Sequence, residues 1–390
     1  MVHAFPSFMS KEVFINRTAV FLPLAPVDND QMEAVLGQAG SRPSRVRKIT
    51  LRSNGIRLRH YVIDPQTGRV CFTNAQLTAE AVRRLTDASF RLEDIACLAT
   101  GTSIPDQIMP NHGVMVQGEL KSQPCEVVST AGVCMAGATA LKYAWLAVRA
   151  GEFSNAVATG SEAVSPLLRA MRYAAETDQQ ADELEARPEL AFEKDFLRWM
   201  LSDGAGAMLL QDRPNATGPS LRIDWLDTFS YANEMPTCMY AGAEKNPDDS
   251  LTGWARFTHE ELGRHSVLAI KQDVKLLNAR VVEYCIEKPL TQIAARRGLR
   301  AEQIEWFVPH MSSEYFRNPI AAGLERISLP IPQERWFTNL ATCGNVGSGS
   351  LFLMLDELFR SGRLQRGQRL LCFVPESGRF SSAFLHLTVV

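Results

Sequence analysis

Paired cysteines are missing from this chain. Eight cysteines are scattered through 390 residues, at positions 71, 97, 125, 134, 238, 285, 343 and 372, and none forms a CxxC pair. This argues against a zinc site and against a disulfide scaffold, and predicts mostly buried, reduced thiols in a cytoplasmic protein. A basic excess is missing as well. The formal net charge is −2, which argues against general nucleic-acid binding. No apolar run reaches the length of about eighteen residues that a membrane span needs. The leading segment, MVHAFPSFMSKEVFINR, has neither the charged start nor the long apolar run of a secretory signal. The run GNVGSG has the wrong glycine spacing for a dinucleotide loop. What remains is an ordinary globular composition, 46% hydrophobic and 22% charged, at a length comfortable for two fused halves.

The chain alternates strand and helix patterns, so an α/β layered fold is expected. A strand is predicted over Glu12–Pro23, a helix over QLTAEAVRRLTDASF and a short apolar strand in EDIACLATGTS. Two pairs of segments repeat in the same order. LEDIACLATGTS (92–103) parallels AEQIEWFVPHMSS (301–313), and 137–163 parallels 349–378 in its run of glycine, apolar helix, basic turn, apolar strand and polar loop. The expectation is a duplicated α/β unit, 1–212 and 213–390, with the break in QDRPNATGPS. An insertion near 167–197 includes AAETDQQADELEARPEL, a candidate solvated helix or pocket cap.

Cys134 lies in VVSTAGVCMAG, among small residues, at the start of a helix predicted from Gly137 to Ala150. Unpaired N–H groups at a helix start favour thiolate, so a lowered pKa is expected there. For any single cysteine, a buried structural role is the commoner case. The corresponding stretch of the second half, TCGNVGSGS, carries Asn345, and the strand end PHMSS carries His310. A Cys, His and Asn at repeat-related loop positions points to nucleophilic catalysis in a shared cleft. The basic stretch 42–59 holds Arg42, Arg45, Arg47, Lys48, Arg52, Arg57 and Arg59. These arginines suit an acidic partner, or equally a solvated face with structural ion pairs.

With these pieces in order, the chain resembles the β-ketoacyl-acyl carrier protein synthase III branch of the thiolase superfamily. The resemblance rests on RSNGIRLRHYV, VCMAG, ATGSEAVSP, LSDGAGAMLL, FVPHMSS and TNLATCGNVGSGS, and covers nearly the whole chain. The run FLRWMLSDGAGA and the VCMAG context look most like the DarB/StlD-like subgroup, which makes dialkylresorcinols and stilbenes.

The resemblance implies a thiolase fold, with two duplicated halves in a five-layered αβαβα arrangement, and a homodimer. It implies that Cys134 is acylated by a thioester, that the N–H groups of Cys134 and Gly378 hold the oxyanion, and that His310 and Asn345 hold the acceptor's carbonyl during Claisen condensation. Ring closure to a dialkylresorcinol or cyclohexanedione product would follow. Acyl carrier protein or coenzyme A thioesters are the implied partners, with Arg52, Arg57 and Arg59 as candidates to meet the carrier or its phosphopantetheine. No cofactor and no metal are expected. Where coenzyme A-primed members often carry a Trp, this chain reads VRKITLRSN, which favours carrier-bound donors. ESGRFSS replaces the usual run of glycines. An ordinary synthase III that condenses an acyl primer with a malonyl thioester, and a non-catalytic partner subunit, are the alternatives.

Overall fold

The computed structural model describes residues 10–38, 45–172 and 197–390. The acidic segment 174–190, the candidate cap, lies outside the described residues. The strands that matter are β1 (Phe14–Phe21), β2 (Cys97–Thr102), β3 (Glu126–Ala131), β4 (Asn155–Glu162) and β5 (Gly204–Gln211) in one wing. The other wing holds β6 (Leu221–Ser230), β7 (Trp306–Pro309), β8 (Arg369–Glu376) and β9 (Ser381–Val389). They form one nine-stranded series in the order β7-β8-β9-β6-β1-β5-β4-β2-β3. Within this series the wings join where β1 pairs with β6, at Phe14↔Arg222 and Ile15↔Leu221.

Strand periodicity sorts the apolar side chains into layers, because successive residues point to opposite faces. In β2, Cys97 and Ala99 enter one core while Leu98 enters another. In β4, Ala156 and Ala158 likewise oppose Val157. In β8, Leu370, Cys372 and Val374 join the first core, and Leu371 and Phe373 face outward. The shared core is therefore the space between the wings. Two helices fill it, α3 (Ala136–Ala150) and α7 (Ser350–Arg360), through Leu141, Trp145, Phe352 and Leu355.

Helices α1 (Asn74–Arg83) and α2 (His112–Leu120) cover the outer face of the first wing through Leu77, Val82, Val116 and Leu120. Helices α4 (Val274–Val282), α5 (Lys288–Arg297) and α6 (Arg317–Arg326) cover the second through Leu277, Ile293 and Ile320. The result is the five-layered α/β arrangement that the resemblance implied.

Local signals set the helix ends. Thr73 and Gln76 close a capping box at the start of α1, and Gly151, at φ 78°, ends α3 in the left-handed conformation. The two central helices approach closely: a Cβ on Gly137 would sit 2.3 Å from the Ser348 carbonyl oxygen. No helix among the described residues is long and apolar enough to cross a membrane.

Candidate active site

Three loops converge on one cavity. The first is the turn between β3 and α3, which carries Cys134. Val133 and Met135, on either side of the cysteine, both donate their backbone N–H to Glu376 Oε2, at 3.0 and 3.2 Å. Thr130 Oγ1 donates to the Ala136 carbonyl at 2.7 Å, tying the strand end to the first turn of the helix. The second loop follows β7. His310 donates its backbone N–H to the Phe373 carbonyl at 2.7 Å and is 3% exposed.

The third loop holds Asn345 between Leu201 and α7. Its backbone N–H donates to the Met200 carbonyl and its carbonyl accepts from Ser202, at 3.0 and 2.9 Å. Its side-chain oxygen accepts the Gly347 N–H at 2.9 Å. That assignment leaves the amide NH2 as the group able to donate outward.

Cys134, His310 and Asn345 line the same cavity, of about 240 Å³. The rest of its wall is largely apolar, including Leu277, Val281, Ile286, Phe316 and Ile320 from the α4–α6 layer. Ile286 comes from the π-helical turn Glu283–Glu287 that joins α4 to α5. Ser103 and Ser377 add polar atoms to the lining.

The electrostatics differ from the sequence expectation at Cys134. Burial pushes its thiol well above its ordinary value, and the carboxylates of Glu376 and Glu162 push the same way. Only its own backbone N–H favours the thiolate. Desolvation outweighs the helix start, whose influence is limited and is here met by a carboxylate. The resting group is a neutral thiol. Burial also lowers His310, to about 4, so its ring is neutral near pH 7 and has one donor and one acceptor nitrogen.

Gly378 lies buried in the turn after β8, beside Val133: a Cβ on it would meet Val133 Cγ2 at 3.1 Å. Its carbonyl accepts the N–H groups of Cys238 and Met239, at 2.9 and 3.3 Å. The arginine candidates separate. Arg59 is fully buried, and its guanidinium donates to the Trp199 carbonyl at 2.6 and 3.2 Å and to Asn29 Oδ1 at 2.7 Å. It is a structural residue and not a docking group, which corrects the sequence expectation. Arg52 and Arg57 are exposed. The Arg57 N–H donates to the Ala341 carbonyl at 2.9 Å, close to the loop that carries Asn345.

Two acids were not singled out from the sequence. Glu162, at the end of β4, is 2% exposed and lines the cavity. Its Oε1 accepts the backbone N–H groups of Ser103 and Ser348, each at 3.1 Å. Burial raises its carboxyl pKa. Glu376 is the second. Each stands at the end of an apolar strand run, and an acid at that place was the available signal. Among the described residues, no group of three or more His, Cys, Asp or Glu could hold a metal ion.

Known proteins resemble this arrangement. Residues 294–383 match the family described as the C-terminal part of 3-oxoacyl-[acyl-carrier-protein] synthase III. The chain is 26% identical over 369 residues to β-ketoacyl-[acyl-carrier-protein] synthase III of Xanthomonas campestris pv. campestris, covering 93% of this chain and 95% of that protein. Among solved structures, the tetronic acid condensing enzyme AbyA1 superposes with a TM-score of 0.73 at 20% identity, over 96% of this chain and 99% of that one. OleA of Xanthomonas campestris, solved with lauric acid and lauroyl-CoA, gives 0.69 at 18% identity over 97% and 99%. FabH of Pseudomonas aeruginosa PAO1 gives 0.66 at 18% identity over 97% and 98%. With these likenesses added to the geometry, the chain is a condensing acyltransferase similar to β-ketoacyl-acyl carrier protein synthase III, built on the thiolase fold.

Proposed function

We propose that Cys134 is the nucleophile of a Claisen condensation that joins two acyl thioesters, and that the product closes to a dialkylresorcinol- or cyclohexanedione-type ring. The observation that carries this reading is that Cys134, His310 and Asn345 share one largely apolar cavity. In the first step the sulfur attacks the donor carbonyl, the carrier thiol leaves with a proton, and the acyl group stays on Cys134. The Cys134 N–H and that of Gly378 are the proposed donors to the oxyanion.

In the second step an acceptor thioester enters and becomes an enolate by losing an α-proton, which ends on the departing Cys134 sulfur, or by losing carbon dioxide where the acceptor is a malonyl thioester. Neutral His310 and the Asn345 amide donate to its carbonyl oxygen as charge builds there. The enolate carbon attacks the acyl carbonyl, a carbon–carbon bond forms, and the bond to sulfur breaks. A second Claisen attack within the product, by a carbon of one acyl chain on the thioester carbonyl of the other, closes the ring and releases the carrier thiol. The apolar wall supports an aliphatic donor, in keeping with the lauroyl group named for the OleA structure. The ESGRFSS turn, in place of glycines, supports a specialised product.

Exposed Arg57, bonded through its backbone to Ala341 near the Asn345 loop, and exposed Arg52 five residues before it support a carrier-protein donor docked there. A homodimer is part of the same reading: β3 is an outer strand of the sheet, paired only to β2, and a second copy could cover it. The reaction would run in the cytoplasm, where such thiols stay reduced. An ordinary synthase III, extending a primer with a malonyl thioester, is the second reading, favoured by the curated relative.

The test is intact-protein mass spectrometry with a panel of acyl-carrier and coenzyme A thioesters, with Cys134→Ala as control. An adduct that the variant lacks is expected, and its mass names the donor. β-Ketoacyl and malonyl acceptors, added separately, then distinguish the two readings by product. No adduct from any donor would sink the catalytic reading in favour of a partner-subunit role.

A further inference from the structure

The segment ESGRFSS, which stands in place of the run of glycines in the resembling family, places a carboxylate against the nucleophile turn. Glu376 stands at the last residue of β8, in the second wing, while Cys134 belongs to the first. A single oxygen, Oε2, accepts the N–H of Val133 at 3.0 Å and that of Met135 at 3.2 Å. These are the residues immediately before and after the cysteine. Gly132 lets the carboxylate come close: a Cβ there would be 3.2 Å from the same oxygen.

Among the described residues, no cation pairs with this carboxylate. Arg379, in the same turn, is exposed and donates its Nε to the Met235 carbonyl at 2.8 Å. The other titratable groups around the cysteine and its cavity are Glu162 from the end of β4, His310 from the end of β7, Cys285 from the π-helical turn and Tyr240. The Cys285 thiol donates to the Ser381 carbonyl at 3.4 Å. Burial raises the Glu376 carboxyl above its ordinary value, against the pull of the two N–H bonds; in its ionised form it opposes the partial positive charge at the helix start that a thiolate would use.

We propose that Glu376 is a positioning residue for the nucleophile: its carboxyl clamps the Val133–Met135 turn to the second wing and restrains Cys134 by its charge. The proposal rests on Cys134 as nucleophile and adds a residue that sets its reactivity. A glycine there would supply neither the clamp nor the charge.

The test is site-resolved alkylation of Cys134 from pH 7 to 9.5, with neutral iodoacetamide and anionic iodoacetate, in the wild type and in Glu376→Gln. Glutamine keeps an oxygen for both N–H groups and removes the charge. A thiol pKa lower by about one unit gives tenfold more thiolate, and the accompanying loss of nucleophilicity offsets about half of that on a logarithmic scale. Iodoacetamide is therefore expected to react about threefold faster in the variant, and iodoacetate faster still, because its repulsion is gone.

A rate unchanged for both reagents, or a rise that leaves their ratio unchanged, overturns the proposal, the second case being simple loosening of the turn. Alkylation does not need acyl transfer. Failure of Cys134 as nucleophile would instead appear as a missing acyl adduct in the wild type.

Discussion

Glu162 Oε1 accepts the backbone N–H of Ser348 at 3.1 Å. This bond ties the end of β4, in the wing that carries Cys134, to the loop that carries Asn345. Gly347 sits inside that contact, at φ 49°, and a Cβ on it would lie 2.8 Å from the same carboxylate oxygen. Gly347→Ala is therefore expected to cost about 1–2 kcal/mol from the left-handed backbone alone. The clash with Glu162 displaces the loop further. Thermal unfolding should show a lower Tm, and condensation should fall more than acylation of Cys134.

Asn345→Asp separates the two half-reactions. The aspartate keeps an oxygen for the Gly347 N–H, 2.9 Å away in the native loop, but loses the amide donor. Acylation should proceed, because Asn345 is proposed to act on the acceptor. Condensation should slow by about 10²–10³-fold, the usual cost of one donor to a developing oxyanion. Single-turnover measurement of adduct formation and product release checks both numbers. Loss of acylation instead would move Asn345 to the first step.

The arginines of the 52–59 stretch should divide by burial. Arg59→Ala leaves the Trp199 carbonyl and Asn29 without their buried partner. A loss of about 2–4 kcal/mol in urea unfolding is expected. Arg57→Glu, on the exposed side chain, should leave stability within about 0.5 kcal/mol. It should raise KM for carrier-bound donors several-fold at low salt, and the effect should shrink as ionic strength rises. An unchanged KM removes Arg57 from the docking face.

His310 makes a stability prediction with a definite sign. Its folded pKa is about 4, against about 6.5 in an unfolded chain. The unfolded chain therefore binds the proton first, and stability falls as pH drops from about 6.5 towards 4, while above 6.5 the group is neutral in both states. His310 contributes about 3 kcal/mol of loss across the full window. Urea unfolding at pH 7, 5.5 and 4.5 should show a steeper acid loss in the wild type than in His310→Asn. Equal slopes would contradict a buried neutral ring.

The layers were legible because burial on both faces writes itself into apolar strand runs, as in Cys97–Thr102 and Arg369–Glu376. Helix starts were legible to within a residue at Ala136, where small residues announce a tight turn. The repeat pattern pointed to Cys134, His310 and Asn345, which the fold gathers on one cavity. Three things were hidden. The thiol's environment depends on Glu376, which is distant in sequence and arrives through the fold. Arg59 reads like its neighbours, yet the strand pairing of Leu58–Arg59 with Val27–Asp28 turns it inward. Glu162 sits in a motif that reads as glycine-rich, so the small residues drew attention away from the acid.

The narrow pairing of β1 with β6 has a mechanical consequence. Among the described residues, the nine-stranded series crosses from one wing to the other at Phe14↔Arg222 and Ile15↔Leu221, with one more bond from the Ile223 N–H to the Val13 carbonyl. Sheet hydrogen bonds therefore do little to hold Cys134 at a set distance from His310 and Asn345. That task falls to the central helices, to the backbone bonds of Asn345 with Met200 and Ser202, and to two side-chain latches, Glu162 on Ser348 and Glu376 on the Val133–Met135 turn. The molecule is built like a book with a thin spine and two clasps, and the clasps, not the spine, keep the reacting pages in register.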